Sequence, residues 1–562
     1  MATSVAGDGP QSLNGIVSDR PRAQKLTDLP TELLEHILCF PDLEHVDVCN
    51  ASCCCKRLHD VCHGRGKVWG HQYKLRWPRL QRFYRQNECC DWLREYKTRH
   101  RVGIQIRRTV ESISKRFFTE VVRNVPIESL GMPEHFCEDE LLFILNSDKR
   151  KSLTLKYYAK KILYFLRQQN ILRSLRTFLE QPAERQSALE GAVLVDQYCN
   201  PLAEVTLDGI SAQVDEIAEK VKKMVRIKNP SHPSLRIAPG DCFVVEDFDL
   251  QRQVVSAINS VLYEQLQYKG NEFDYYNPLN SYIHQVLLRH TGIPISLSVL
   301  YMTLARKLGI QLEPVNFPNH FLLRWCQKPR GSEDIYDFVY VDAFGKGKQL
   351  TAKECEYLIG HQVTADYYSA ISTTEVLLRM VGNLLNIGKR GEGNEKSYQL
   401  APEHLEVQYS VGLIMKHKRS GYNCVIYGWD PKCTMSQEWI TTMRVHQLSS
   451  GANQPFYNVL VQDGTCRYAA QENLEPHSAP LEIGHPEVGR YFSECADTHY
   501  VANEELQTRY PEDASETLGT VQALYHRPTP TDSGNREQEP PPPPPAAAAA
   551  ASDQNNHHAM SM

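Results

Sequence analysis

Residues 274–324 read DYYNPLNSYIHQVLLRHTGIPISLSVLYMTLARKLGIQLEPVNFPNHFLLR and carry the densest structural signal in the chain. Gly292 opens a turn, and the apolar run 295–307 that follows predicts a long buried helix. We expect the helix to stop at Gly309, because glycine commonly adopts the left-handed conformation just past a helix end. The stretch therefore predicts a helix that begins directly after a tight turn and leads into strands.

Two polar residues lie on the segments that follow this helix. His320 begins one strand-like segment, 320–325, and Asp342 ends another, 338–342. A helix start, then a His on one strand and an Asp on the next, is the layout of a Cys–His–Asp thiol site, in which the helix N-terminus favours the thiolate. The centre of the chain is therefore predicted to be an α+β unit built like a thiol enzyme.

The run NPLNSYIHQVLLRHTGIPISLS at 277–298 resembles the bacterial SirB-type transglutaminase-like family. Sequence similar to this family begins near Leu189, and the predicted domain covers residues 183–387. The resemblance implies a papain-like α+β core, with His320 and Asp342 at the His and Asp positions of the family.

The cysteine position of that site holds no cysteine, because Pro294, Ile295 and Ser296 stand at the helix start. Two interpretations stay open. Serine commonly caps a helix start, which would leave a catalytically degenerate domain used as a binding surface. Alternatively, Ser296 is a nucleophile that works with His320 and Asp342 in a serine-dependent hydrolase or transferase. Neither interpretation predicts a cofactor or a metal.

Residues 26–75 predict a short helical module, because an apolar stripe at helical spacing follows Pro30. About 45 residues cannot bury such a stripe alone, so part of it is expected to meet a partner. The Leu-Pro opening, E-L-L-x-x-I-L, the Cys-Lys-Arg-Leu segment and the closing Trp resemble the F-box. The resemblance implies a three-helix module that binds a Skp-type adaptor and, through it, a cullin scaffold with a RING protein. The positions that match the adaptor face or its support are Leu29, Pro30, Leu33, Leu34, Ile37 and Trp69.

Residues 402–500 predict a small β domain, since segments 409–415, 424–427 and 456–461 alternate apolar and polar residues between turns. These segments resemble the YccV/HspQ family, also called the hemimethylated-DNA-binding domain, which implies a small β-barrel-like fold. The family includes bacterial adaptors that present proteins to proteases. The aromatic residues considered as client-binding candidates are Tyr422, Trp429, Phe456 and Tyr457.

Charge argues against DNA binding by this domain. Residues 402–498 hold 7 Lys/Arg and 11 Asp/Glu, a net of 7 − 11 = −4. Affinity for DNA comes mainly from the neutralisation of phosphates by basic side chains. Protein binding is therefore the favoured prediction, and a DNA-binding chromatin-associated factor is the alternative.

A basic segment lies between the F-box-like module and the central domain. Residues 67–116 hold 14 Lys/Arg and 4 Asp/Glu, a net of 14 − 4 = +10. The segment 76–182 reads as a helical connector, and its basic part is interpreted as a solvated helix face or as a docking face for an acidic partner or nucleic acid.

The composition excludes several protein classes. The chain has 562 residues and a net charge of −5, and no apolar run approaches the ~18–20 residues that cross a bilayer. The N-terminus lacks the pattern of a secretion signal, so the 17 cysteines are expected to be thiols in the cytoplasm, the nucleus or both. The spacing of Cys55, His59, Cys62 and His63 describes a buried helix face as well as a zinc set, and no metal is predicted.

The sequence therefore predicts a multidomain α+β protein. Residues 1–25 and most of 501–562 are predicted to be disordered, and 388–401 is predicted to be a linker. The three resemblances together imply the substrate-recognition subunit of a Skp–cullin–F-box ubiquitin ligase, which binds clients through the central and C-terminal domains and is not itself an enzyme.

Overall fold

The computed structural model of the protein describes residues 25–64, 66–84, 91–118, 131–237, 243–327, 334–389 and 407–525. The predicted disorder of 1–24 and 526–562, and the predicted linker from residue 390 onward, lie outside the described residues. In the ranges given, no helix is both long enough and apolar enough to cross a membrane.

The N-terminal part of the chain is helical and has a single core. Buried residues of the first helices, such as Leu34 and Trp69, belong to the same hydrophobic cluster as Tyr96 and Tyr158 of the longer helices that follow. The F-box-like module and the predicted connector therefore pack as one unit. Its helices are α1 (Thr31–Leu38), α2 (His45–Cys54), α3 (Lys56–His63), α4 (Lys67–Arg76), α5 (Trp92–Arg116), α6 (Glu134–Leu145) and α7 (Leu153–Leu179).

The cysteines and histidines considered as a zinc set lie at the junction of two helices. Cys55 has extended backbone angles, φ −160° and ψ 161°, and separates α2 from α3. The zinc-set spacing therefore does not lie on one helix: Cys55 is exposed, whereas Cys62 is buried and its thiol donates to the Val48 carbonyl oxygen. Across the described ranges, no three His, Cys, Asp or Glu side chains are placed to hold a metal ion.

The basic segment 67–116 is partly internal. Arg99 of α5 is fully buried, and its guanidinium donates to Asp139 at 2.6 Å and to Glu140 at 2.9 Å, both on α6. A buried charge requires such partners, because desolvation without them is very costly. The interpretation of this segment as one solvated basic face is therefore wrong for Arg99.

The central domain places a long helix against an antiparallel sheet. Strands β3 to β6 pair in sequence order, and α12 packs against β3 and β4. Pro294 stands at the first position of α12, where a missing N–H costs little, and Gly309 has a φ of +83° just past its end, as predicted. The helices are α8 (Ala188–Cys199), α9 (Leu207–Lys228), α10 (Phe248–Asn259), α11 (Ile283–Arg289), α12 (Pro294–Lys307), α13 (Ala352–Ile359) and α14 (Thr373–Lys389), and the strands are β1 (Lys269–Gly270), β2 (Thr291–Gly292), β3 (Glu313–Val315), β4 (Leu322–Cys326), β5 (Phe338–Asp342) and β6 (Lys348–Leu350).

The C-terminal domain contains a five-stranded antiparallel sheet in the order β10-β9-β8-β7-β11, beside a β12-β13 hairpin. The strand predicted at 456–461 is confirmed, whereas the one predicted at 409–415 begins only at Ile414. Its strands are β7 (Ile414–His417), β8 (Asn423–Asp430), β9 (Phe456–Val461), β10 (Cys466–Ala470), β11 (Leu474–Pro476), β12 (Phe492–Cys495) and β13 (Tyr500–Ala502), and its helices are α15 (Gln437–Thr442), α16 (Val488–Tyr491), α17 (Glu504–Arg509) and α18 (Asp513–Tyr525). The three units together confirm the predicted multidomain α+β fold class.

The predicted boundary at residue 500 cuts through this domain. Leu506 of α17 and Val521 of α18 belong to its hydrophobic core, and Asp513 accepts hydrogen bonds from the Val411 amide and the Trp429 indole. Residues 501–525 are therefore an integral part of the fold, and the prediction that they begin a disordered tail is wrong.

Helix α7 contacts all three units. Its first turns pack against α16 and β12 of the C-terminal domain, its middle packs against α5 and α6, and it also packs against α8 of the central domain. Thr154 donates to the Phe492 carbonyl oxygen at 2.9 Å, and Tyr157 donates to Glu487 at 2.7 Å. The predicted connector is thus a structural element that the other units share.

Candidate functional site

The structure brings His320 and Asp342 together, as the thiol-enzyme layout predicts. His320 Nε2 donates to Asp342 Oδ1 at 2.9 Å, and the amides of Phe344 and Gly345 donate to the same oxygen. Asp342 is the last residue of β5. His320, however, lies in the turn before β4 and not on a strand, so that part of the prediction is wrong.

The electrostatics favour an ionised carboxylate in this pair. Burial alone would raise the pKa of Asp342, but the hydrogen bond and charge of His320 and the two amide donors lower it below its ordinary value. Because Nε2 is held by Asp342, Nδ1 is the ring nitrogen of His320 that remains to face a reacting group. The pair therefore has the orientation that a base needs, provided that a nucleophile stands opposite.

Ser296 does not stand opposite His320. Its hydroxyl oxygen accepts a hydrogen bond from the Ile293 amide at 3.1 Å and donates to the Asn280 carbonyl oxygen at 2.7 Å. The side chain is 1% exposed and, at the third position of α12, it satisfies the free amide of the N-cap residue Ile293. In the part of the chain that the structure describes, no hydrogen bond joins Ser296 to His320.

The start of α12 is sealed by apolar side chains. Ile293 and Ile295 are each 2% exposed and belong to one hydrophobic cluster with Phe178, Phe321 and Val376. Active thiol enzymes leave this position partly open, so that a thiolate can reach its substrate. Here the corresponding position is part of the hydrophobic core, and the hydroxyl of Ser296 is buried in hydrogen bonds to the backbone.

A second His–carboxylate pair lies elsewhere in the central domain. Asp196 of α8 has a fully buried side chain, and it accepts hydrogen bonds from the ring nitrogen Nδ1 of His284 at 2.6 Å and from the His284 amide. Asn200 donates to the same carboxylate at 2.9 Å. The pair joins α8 to α11. Sequence reasoning missed it because 88 residues separate its members.

The F-box-like positions divide into a surface set and a core set. Leu33 is 49% exposed and Ile37 is 38% exposed, whereas Leu34 and Trp69 are buried in the shared core. Pro30 is exposed and Leu29 is half-buried. The first set forms a face, and the second supports it from behind.

The apolar face of the module is larger than the sequence indicated. Phe40 is 57% exposed and lies one turn beyond Ile37, and Val46 at the start of α2 is 50% exposed. The signal that could have found Phe40 is its spacing of three residues from Ile37, which continues the stripe. We call Leu33, Ile37 and Phe40 the α1 face.

The client-binding candidates of the β domain do not form one surface. Tyr457 is fully buried and its hydroxyl is bonded to Gln471, so its prediction as an exposed contact is wrong. Trp429 is half-buried and held by Asp513 and Tyr510 of the C-terminal segment. Tyr422 and Phe456 instead line a cleft of about 640 Å³, described below.

Three family models match the chain. They are F-box-like at residues 26–74, transglutaminase-like superfamily at 208–382, and hemimethylated DNA-binding protein YccV like at 407–499. F-box only protein 21 of Homo sapiens is 49% identical in an alignment 594 positions long, which covers 89% of this chain and 94% of that protein. The chain belongs to the F-box only protein 21 family.

Further relatives match larger or smaller shares of the chain. F-box only protein 21 of Mus musculus is 48% identical in an alignment 621 positions long, which covers 93% of this chain and 98% of that protein. A UPF0162 protein of Xylella fastidiosa is 41% identical over 111 residues, 20% of this chain and 37% of that protein. No solved structure matches the chain significantly. The three resemblances predicted from sequence are confirmed.

Proposed function

We propose that this chain is the client-recognition subunit of a Skp–cullin–F-box ubiquitin ligase. The observation that carries the proposal is the α1 face, because Leu33 and Ile37 are exposed on a helix whose opposite side, with Leu34 and Leu38, is buried. A partly exposed apolar stripe on a rigid helix is typical of a protein interface. The F-box-like model at 26–74 covers this helix and supports a Skp-type adaptor as the partner.

The other two domains are proposed to hold the client, in the cytoplasm, the nucleus or both. The central domain keeps the His320–Asp342 pair but has no cysteine at the start of α12, where the Ser296 hydroxyl is bonded to backbone groups, and this supports a non-catalytic role. A receptor of this kind contributes by proximity: it holds client lysines near a ubiquitin-loaded enzyme in the complex. The chain itself would then form no covalent bond.

Binding of the purified adaptor to the full chain tests the proposal. Burying an aliphatic side chain contributes about 1.5–3 kcal/mol, so Leu33→Asp with Ile37→Asp is expected to weaken adaptor binding by at least two orders of magnitude. The matched control is Leu378→Asp with Leu385→Asp, which alters two exposed leucines of α14. Equal adaptor binding by wild type and the α1 double variant would refute the proposed docking face.

Client transfer is tested in the reconstituted complex. Ubiquitin should pass to proteins captured by the chain, and this transfer should be lost in the α1 double variant but kept in the α14 control. If Ser296→Ala removed transfer while adaptor binding and folding stayed intact, the non-catalytic assignment would be wrong.

A further inference from the structure

The β domain contains a cleft that none of the family resemblances assigns. It lies between the strands and the segment that joins β8 to β9, which carries α15. Trp439 and Met443 of that segment line one side, and Tyr422 and Tyr468 are among the residues that the sheet contributes. We call this cavity of about 640 Å³ the β8–β9 cleft.

The charged groups lining the cleft are cationic. Arg419, Arg444 and Arg467 line it, and no Asp or Glu does so among the described residues. Arg467 forms an ion pair with Asp463, with 2.7 Å between nitrogen and oxygen, and its guanidinium carbon lies 4.4 Å from the centre of the Tyr422 ring. In the described part of the chain, Arg419 and Arg444 form no ion pair. The guanidinium of Arg444 is therefore available to an anion, and Arg419 is attracted by Glu472 without forming an ion pair with it.

Carboxylates near the cleft are held by other groups. Asp430 accepts hydrogen bonds from the hydroxyls of Tyr468 and Thr434, and Glu472 accepts from the amides of Ser449 and Ser450. Asp430 is thus held through Tyr468 of the lining, and the charge of Arg419 helps to lower the pKa of Glu472. Neither carboxylate lines the cleft, so the lining itself keeps a positive charge.

The half-buried His417 also lies at this cleft, beside its arginines. The pKa of His417 is lowered by burial and, in addition, by the positive charges of Arg467 and Arg419. The cleft therefore disfavours another cation.

We propose that the β8–β9 cleft binds an acidic peptide segment of a client protein, with one aromatic or aliphatic side chain packed against the contacting rings of Trp439 and Tyr468. The arginines match carboxylates, and the rings of the lining match an apolar side chain. The proposal rests on the proposed function as a client receptor and names the chemistry that this receptor selects.

The surroundings favour a peptide over duplex DNA. Residues 402–498 carry a net charge of 7 − 11 = −4, so the positive cleft is enclosed in an acidic domain. A duplex presents a long row of phosphates and requires a broad basic surface. An extended acidic segment needs only the cleft itself.

Fluorescence anisotropy with the full chain tests the proposal. The probe is a short fluorescein-labelled peptide of alternating Asp and Glu around one central Trp. Its controls are the same peptide with Asn and Gln in place of the acids, and the same peptide with Ser in place of Trp. We expect the acidic Trp peptide to bind at physiological salt and both control peptides to bind on the order of tenfold more weakly or worse.

Matched variants locate the binding. Arg419→Glu with Arg444→Glu is expected to weaken the acidic peptide by at least roughly tenfold. Lys416→Glu with Lys432→Glu makes the same change in net charge at two exposed lysines outside the lining, and it should have little effect. Trp439→Ala should weaken the Trp peptide and leave the Ser peptide unchanged.

The outcomes separate this proposal from the proposed function. If the acidic peptide does not bind, if both double variants lose it equally, or if duplex DNA binds more tightly and displaces it, the cleft proposal is overturned. Adaptor binding is measured on the same preparation. Retained adaptor binding then leaves the receptor assignment standing, whereas lost adaptor binding with intact peptide binding overturns only that assignment.

Discussion

The contact between α7 and the C-terminal domain depends on a missing side chain at Gly489. A Cβ built there would lie 2.7 Å from the Cβ of Tyr157 and would also crowd the Leu153 carbonyl oxygen. Ordinary carbon–carbon contacts are about 3.5–4.0 Å, so a methyl group requires the two elements to separate by about 1 Å. We therefore expect Gly489→Ala to loosen this interface without altering either hydrophobic core.

The cost follows from the contacts that the separation disturbs. Overpacking typically costs about 1–3 kcal/mol, the loss of a neutral hydrogen bond about 0.5–1.5 kcal/mol, and the loss of one to a charged carboxylate about 1.5–3 kcal/mol. The bonds at risk are Thr154 to the Phe492 carbonyl oxygen and Tyr157 to Glu487. A total of about 3 kcal/mol corresponds to on the order of a hundredfold increase in local opening.

Amide hydrogen exchange measures this opening locally, which matters because a multidomain chain does not unfold in one step. Protection should fall in the first turns of α7 and in α16, and should persist in α1 to α4. Gly484→Ala is the matched control, since nothing lies within 4 Å of its added Cβ. Unchanged protection in Gly489→Ala, or an equal loss in the control, would refute the packing argument.

Three further predictions concern the central and C-terminal domains. Ser296→Ala leaves the Ile293 amide and the Asn280 carbonyl oxygen without their buried partner, and it should lower the free energy of opening at the start of α12 by about 1–3 kcal/mol, measured by amide hydrogen exchange. The same variant should not change labelling of the chain by a fluorophosphonate, because the hydroxyl is bonded to the Asn280 carbonyl oxygen. Since the pKa of Asp342 is lower in the folded chain than the ordinary ~3.9, its charge stabilises the fold above about pH 4, and this stabilisation disappears as pH falls through the folded pKa. The stability gap between wild type and Asp342→Asn should therefore be larger at about pH 5 than at about pH 3 by urea midpoint, and a constant gap would contradict the assignment. A chain ending at Tyr525 should keep the β-domain circular dichroism and solubility of the full chain, whereas a chain ending at Tyr500 should lose them, because it lacks Leu506 and Val521 of the core.

The sequence predicted those helices and strands whose limits are set by neighbouring residues along the chain. The apolar run before Gly309 predicted α12 to within one residue, because proline at its start and glycine past its end set the helix limits through their own backbone preferences. The strand at 456–461 was equally clear, since all six residues are buried. In contrast, α18 contributes few apolar residues and is held by hydrogen bonds of Asp513 and Thr517 to distant residues. Its composition therefore gave no sign of a core element.

The candidate site in the central domain was predictable where the type and order of the residues indicate their chemistry. His320 and Asp342 were found because their order along the chain matches a known arrangement, and the absent cysteine was visible at once. The β8–β9 cleft was not predictable, because its arginines come from separate turns and strands and meet only through the fold. Whether Trp429 and Tyr457 are exposed was likewise decided by tertiary packing.

Helix α7 also fixes how the C-terminal domain is rotated relative to the central domain. It has 27 residues and is therefore about 40 Å long. Leu153 and Thr154 at its start face the C-terminal domain, and Phe178 near its end lies in the core of the central domain. Inserting one residue in the middle of this helix would turn everything beyond it by about 100° and shift it by about 1.5 Å, so one of the two attachments would have to break. The length of this helix therefore sets the relative position of the two domains. We expect insertions and deletions to be tolerated in the loops on either side of it and not within it.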